Sequence, residues 1–90
     1  MDVSVYKRIV KLSNTYYNAG LTKAKNRDLS GAADTLRRSV KLNKRNIDAR
    51  NLLGLVYFEM GETVQAFSEW VMSTNIQPDN NPAEKYLVAI

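Results

Sequence analysis

The 90-residue sequence predicts an all-α fold, an α-solenoid of about five helices arranged as antiparallel pairs. Residues 13–46 align with residues 47–80 at an offset of 34, a period typical of stacked helix pairs. Apolar residues recur at spacings of three and four, the period of an amphipathic helix. Small residues coincide under the offset where two helices would cross, and polar residues coincide where helices would begin. The identical pairs are Gly20/Gly54, Leu21/Leu55, Ala32/Ala66, Ser39/Ser73 and Asn46/Asn80.

The first half of the chain predicts two helices. The first begins near Ser4 and is longer than a repeat requires, with an apolar stripe formed by Val5, Ile9, Leu12, Tyr16, Tyr17, Leu21 and Ala24. The second follows Asp28, which aligns with Glu62, and ends at the turn 43–46. Its apolar face holds Leu29, Ala32, Ala33, Leu36 and Val40, opposite Arg37, Arg38 and Lys41.

The second half predicts three more helices. The third, around residues 52–60, is apolar on most of its circumference and should be packed on two sides. Gly61 suits the left-handed residue just beyond it, because glycine has no Cβ. The fourth contains Ala66, Phe67, Trp70, Val71 and Thr74. The fifth should begin at Asn81, with Asn as the N-cap and Pro82 in the first turn.

Several residues of the second repeat follow a known spacing: Leu53, Gly54, Tyr57, Gly61, Ala66, Trp70 and Pro78. This pattern resembles the tetratricopeptide repeat (TPR) family. The first repeat shares Tyr16, Ala19, Gly20, Ala32, Leu36 and Ser39, whereas Lys23 and Lys44 depart from the pattern. The resemblance implies a right-handed solenoid with an N-terminal extension at 1–12, repeats at 13–46 and 47–80, and the first helix of a truncated third repeat at 81–90.

In this family the first helix of each pair lines a concave groove, so the resemblance implies a non-catalytic protein-interaction module or scaffold. The corresponding groove residues are Asn14, Tyr17, Leu21, Ala24, Lys25, Asn51, Leu55, Phe58, Glu59 and Lys85. Their apolar members suit a peptide with apolar anchors, although each could instead pack on a neighbouring helix. We expect Leu21→Asp and Asn51→Ala to leave folding nearly intact if both line an exposed groove.

The resemblance also argues against one ligand. A well-known subtype binds the acidic C-terminal carboxylate of chaperones with a clamp of Lys, Asn and Arg side chains. The corresponding positions here hold Tyr17, Leu21, Leu52, Pro82 and Tyr86. We therefore do not expect this chain to be a chaperone-tail receptor.

Composition argues against catalysis. The chain has no His and no Cys, so it lacks the usual zinc ligands, the usual neutral-pH base and an activated nucleophile. Its carboxylates form no convincing acid–base pair, and no glycine-rich phosphate loop is present. We expect no enzyme, no cofactor and no small-molecule substrate. With no signal peptide and no apolar run of about 20 residues, a cytoplasmic location is expected, either alone or as part of a larger protein.

The charge distribution supports an alternative function. Residues before Ile47 include eleven Lys and Arg against three acids, net +8, and the remainder has two against six, net −4. The basic half, with Arg37, Arg38, Lys41, Lys44 and Arg45 as a candidate surface, could dock on an acidic protein or an anionic membrane. Nucleic acid has less support because no Arg/aromatic interleaving occurs. The commoner explanation is a solvated surface.

The last predicted helix has no polar outer face and no Gly stop after Tyr86, Leu87 and Val88. Solenoids normally end in a polar capping helix, because a bare repeat interface exposes apolar surface. We therefore expect either a fragment of a longer protein or self-association through this helix. The charge asymmetry would favour head-to-tail contact between copies.

Overall fold

The computed structural model describes residues 2–89, which form five α-helices and no β-strand. They are α1 (Val3–Lys25), α2 (Leu29–Leu42), α3 (Ile47–Glu59), α4 (Thr63–Ile76) and α5 (Ala83–Ala89). Helices adjacent in sequence pack against each other, and α3 also contacts α1. The all-α fold with five helices is confirmed, and Ile90 of the predicted last helix lies outside the described residues.

Short polar side chains begin four of the helices, because each accepts a hydrogen bond from a backbone N–H that has no partner inside its helix. Asp2 Oδ1 accepts from Ser4 N at 3.0 Å. Asp28 Oδ1 and Asn46 Oδ1 each accept from the N–H three residues later, at 3.1 Å. Asn81 Oδ1 accepts from Ala83 N at 3.0 Å, so its predicted capping role is confirmed.

The turn after α4 places its capping asparagine one residue later, under the 34-residue offset, than the turn after α2. Asn46 caps α3 while its Nδ2 donates to Ser39 Oγ at 3.4 Å. Asn81, not Asn80, does the same for α5, and its Nδ2 donates to Ser73 Oγ at 2.8 Å. Asn80 is exposed and has a φ of 53°. The two asparagines that coincide under the 34-residue offset therefore have different roles, because the second turn places its cap one residue later.

Glycines mark the close crossings within the two helix pairs. A Cβ added to Gly20 of α1 would lie 2.6 Å from Cγ of Leu36 on α2. A Cβ added to Gly54 of α3 would lie 2.7 Å from Cδ1 of Trp70 on α4. Both bulky partners are fully buried. The expectation that coincident small residues mark close crossings is confirmed at these glycines.

The apolar core has two parts, and residues of α3 take part in both. Residues of α2 and α3 form the first part: Ala32, Ala33, Leu36, Leu53 and Val56. Ala66 and Trp70 of α4 form the second part with Ala83 of α5, and Leu55 and Tyr57 of α3 pack against it. Helix α3 therefore contributes to both, as its nearly all-round apolar sequence predicted. Gly61, with a φ of 80°, follows it as expected.

A buried ion pair joins α3 to α4. Arg50 Nη1 lies 2.8 Å from Glu69 Oε1, with side-chain exposures of only 8% and 14%. Arg50 Nε also donates to the carbonyl oxygen of Lys44 at 2.7 Å, which ties the turn 43–46 to this pair. The sequence did not predict this pair, in which the charge of the buried guanidinium is matched by a carboxylate nineteen residues away.

Helices α1 and α3 lie side by side and run in the same direction. Near the start of α3, Asn46 Nδ2 donates to Asn14 Oδ1 at 3.0 Å. Near the C-terminal ends of the two helices, Arg27 Nη2 pairs with Glu59 Oε2 at 3.3 Å. Residues 14–27 therefore face residues 46–59 along this length. This arrangement places the predicted groove residues of the two helices on neighbouring surfaces.

Candidate binding groove and basic surface

A polar cleft of about 330 Å³ opens where α1, the start of α3 and the turn before α5 meet. Six of its ten lining residues carry side-chain amides: Asn14, Asn43, Asn46, Asn51, Gln77 and Asn80. The other four are Arg45, Ile47, Asp48 and Pro82. An amide offers both donors and an acceptor, so this lining suits a ligand that carries both kinds of group.

Asn51 is the most deeply buried predicted groove residue in this cleft, with 7% of its surface exposed. Asn81 Nδ2 donates to Ser73 Oγ and to the carbonyl oxygen of Gln77, so Asn81 Oδ1 must face Asn51. Asn51 Nδ2 donates to that oxygen at 2.9 Å. The Asn51 amide is thereby fixed in orientation, and its own Oδ1 has no hydrogen-bond partner among the described residues.

This geometry changes the expectation for Asn51→Ala. The substitution removes a buried hydrogen bond to Asn81, the residue that caps α5. Such a loss affects stability, since truncating one partner leaves the other unsatisfied, at a cost of about 1–3 kcal/mol. Asn51→Ala would therefore perturb the fold as well as the cleft, unlike a substitution at an exposed groove residue.

Three predicted groove residues are partly buried against the core: Tyr17, Ala24 and Leu55. Tyr17 is half-buried against the first core cluster, and its pKa is raised by that burial and, to a smaller extent, by the Asp48 carboxylate. Leu55 packs against the second cluster. Leu21 is half-buried, while Phe58 is 41% exposed with its ring centroid 6.2 Å from that of Trp70. The apolar surface offered to a ligand is therefore smaller than the sequence suggested.

The remaining predicted groove residues lie outside the polar cleft. Lys25 is exposed at the end of α1, and Glu59, at the end of α3, pairs with Arg27. Lys85 is exposed on α5 and borders an adjoining hollow with Asn80 and Pro82. Of the predicted set, the cleft brings together Asn14 and Asn51.

Sequence reasoning missed most of the cleft lining. Asn43 and Asn46 were assigned only to a turn that ends one helix and begins the next, and Gln77 was not considered. The available signal was the recurrence of amide-rich turns, at 43–46 and 77–81, in equivalent places of the two halves. These turns meet at one end of α3, so both contribute side chains to the same cleft.

The predicted basic surface divides into groups with different surroundings. Arg37 pairs with Asp34, donates to the Tyr57 hydroxyl at 3.1 Å and has its guanidinium carbon 6.0 Å from that ring centroid. Hydrogen bonding to Tyr57 raises the pKa of Arg37. Arg38 and Lys41 are exposed on the same helix and form no ion pair among residues 2–89.

The other two members of that surface, Lys44 and Arg45, lie in the turn 43–46. Both are exposed, and Arg45 lines the polar cleft. The five cations of the predicted surface therefore do not all line one cleft.

Comparisons with known proteins give no identification. A scan against protein-family models finds no match, and a search of curated proteins finds none either. The TPR resemblance consequently stays a prediction from the sequence. Within the described part of the chain, no helix combines the length and apolar character needed to cross a membrane.

Proposed function

We propose that this chain is a non-catalytic protein-interaction module, a TPR-like solenoid that binds a peptide or partner protein in the polar cleft and along the adjoining face of α1 and α3. The observation that supports this proposal is the lining of the cleft, where six of ten residues carry amides. A peptide main chain presents alternating donors and acceptors, and paired amides can satisfy both. The module needs no cofactor for this function.

A further feature favours a peptide ligand. Asn46 and Asn51 bring amide groups to the cleft near the start of α3. Phe58 exposes part of its ring on the same helix, farther toward the end of α3. An extended ligand along α3 would thus meet hydrogen-bonding groups first and an apolar contact farther along.

The test is a peptide-display selection against the wild-type chain, followed by measurement of Kd for an enriched peptide by fluorescence polarisation. The variant is Asn14→Arg, which places a long side chain at the exposed rim of the cleft. Folding should tolerate it, because Asn46 Nδ2 keeps Ser13 Oγ at 3.0 Å when Asn14 is lost. Asn75→Arg is the matched control, since Asn75 is exposed on α4, away from the α1 and α3 face, and does not line the cleft.

We expect Asn14→Arg to weaken binding by about tenfold or more, a loss of about 1.4 kcal/mol, and Asn75→Arg to leave it nearly unchanged. Both variants should retain the wild-type melting temperature within a few degrees. Failure of the selection to enrich any peptide would argue against the proposal. Equal affinities for the two variants would exclude the polar cleft as the binding site.

A further inference from the structure

A second cleft, here called the edge cleft, lies where α1 passes the C-terminal end of α2. It encloses about 460 Å³ and is lined by Leu12, Tyr16, Arg38, Lys41 and Leu42. It shares no lining residue with the polar cleft, so a ligand bound here would not depend on the function proposed above.

The floor of the edge cleft is apolar and partly open to solvent. Leu12 is 45% exposed, and Tyr16 and Leu42 are each partly exposed. These side chains belong to two different helices, so the apolar surface spans the junction of α1 and α2. Covering it with an apolar side chain from a ligand would be favourable, because apolar surface would leave water.

The rim of the edge cleft is cationic. Arg38 and Lys41 are three residues apart on α2 and therefore neighbours on one helix face. Neither forms an ion pair among residues 2–89, whereas Arg37, on the same helix, is held by Asp34 and Tyr57. Residues before Ile47 carry a net charge of +8, so the local field also favours an anionic ligand.

We propose that the edge cleft binds an acidic amphipathic peptide segment of a partner protein. One apolar side chain of the segment would lie on Leu12, Tyr16 and Leu42. Its carboxylates would meet the two rim cations, with Arg38 able to hold one carboxylate through two parallel hydrogen bonds. Both features of the cleft, the apolar floor and the free cations, are then matched by one ligand.

The geometry favours a peptide over the other anionic surfaces. A bilayer-binding helix presents a broad apolar face to lipid, whereas here only three apolar side chains, Leu12, Tyr16 and Leu42, line the cleft. Nucleic-acid phosphates would neutralise Arg38 and Lys41 but would leave the apolar floor without a partner. An acidic segment with one apolar side chain satisfies both.

The test uses a synthetic peptide of three Glu-Leu-Leu-Glu repeats, blocked at both ends, titrated into the isotopically labelled chain and followed by NMR. The charge variant is Arg38→Glu/Lys41→Glu. Its matched control is Lys7→Glu/Lys44→Glu, which changes net charge equally at two exposed residues outside the edge cleft. The floor variant is Leu12→Ser, with Val64→Ser as the control at another exposed apolar residue.

We expect the peptide to shift amide signals of residues 38–42 and of the neighbouring turn of α1. The charge variant and Leu12→Ser should each raise Kd by about tenfold or more, while their controls should change it by less than about threefold. A peptide with Ser in place of Leu should bind as weakly to the wild type as the original peptide binds to Leu12→Ser. Melting curves of all variants would verify that each is folded.

Several outcomes would overturn the proposal. Saturable binding that is weakened equally by Arg38→Glu/Lys41→Glu and by its control Lys7→Glu/Lys44→Glu would show a general attraction of the peptide to the basic half. Absence of binding at millimolar peptide would show that the edge cleft does not bind an acidic amphipathic peptide. Binding to phosphatidylserine vesicles or to single-stranded DNA, with no peptide binding, would assign the cations to a membrane or to nucleic acid. Dimers that dissociate on Arg38→Glu/Lys41→Glu would assign the edge cleft to a second copy.

Discussion

Replacing Gly54 with Ala should destabilise this protein, although the same change in an exposed helix would stabilise it. Gly54 lies inside α3, where alanine is favoured over glycine by about 1 kcal/mol. At this position, however, the added Cβ would meet the indole ring of Trp70, 2.7 Å from both Cδ1 and Cε2. Real contacts do not come that close, so either the ring or the helix must move.

The surroundings of Trp70 set the size of the effect. The residue is fully buried, and its ring centroid lies 6.1 Å from that of Phe67 and 5.3 Å from that of Tyr86. Its Nε1 donates to the carbonyl oxygen of Asn51 at 3.3 Å. Because the ring cannot move without disturbing these contacts, we place the overpacking cost at about 2–3 kcal/mol, within the upper part of the usual range. Subtracting the gain in helix propensity leaves a net loss of about 1–2 kcal/mol.

The measurement is thermal unfolding followed by far-ultraviolet circular dichroism, supported by urea titration. For a domain of this size the net loss corresponds to a fall in Tm of roughly 5–15 °C. Asn18→Ala, on the exposed face of α1, is the control and should raise Tm slightly. Gly54→Leu should abolish the native transition. If Gly54→Ala instead raised Tm, the close crossing of α3 and α4 would be refuted.

Two further predictions concern ionisable groups. Glu69→Leu should cost about 3 kcal/mol in urea unfolding, because it leaves the buried Arg50 without its carboxylate, whereas Arg50→Met/Glu69→Leu should recover most of that loss. Equal stability of the single and double variants would contradict a buried pair. Burial, with help from Asp48, raises the pKa of Tyr17, so neutral Tyr17 contributes stability below about pH 10 that is lost as pH rises through its folded pKa. Tm should therefore fall more steeply above about pH 10 in the wild type than in Tyr17→Phe, and parallel curves would exclude the effect.

Much of the fold could be predicted because it depends on residues close together in the chain. Apolar spacing identified the helices, and the capping residues Asp28, Asn46 and Asn81 act on N–H groups two or three residues away. Gly61 adopts its positive φ just beyond α3, as its missing Cβ predicted. The coincidence of Gly20 and Gly54 even located two helix crossings, because only small residues allow such an approach.

The sites were harder to predict because their parts come from distant segments. The polar cleft combines two turns more than thirty residues apart, and the sequence anticipated only Asn14 and Asn51 within it. The edge cleft depends on the relative position of α1 and α2, which brings Leu12 and Lys41 into the lining of one cleft. Neither juxtaposition follows from spacing along one helix, since the relative position of two helices decides which side chains share a surface.

The sequence by itself determined the helices, their caps and the near-repetition of one half in the other. Only the tertiary structure decided the partners of its polar groups. It buried Arg50 against Glu69, nineteen residues away, and joined Asn51 to Asn81. Local structure follows from interactions within about one turn, whereas burial and pairing follow from packing, where a polar group must find a partner once water is excluded.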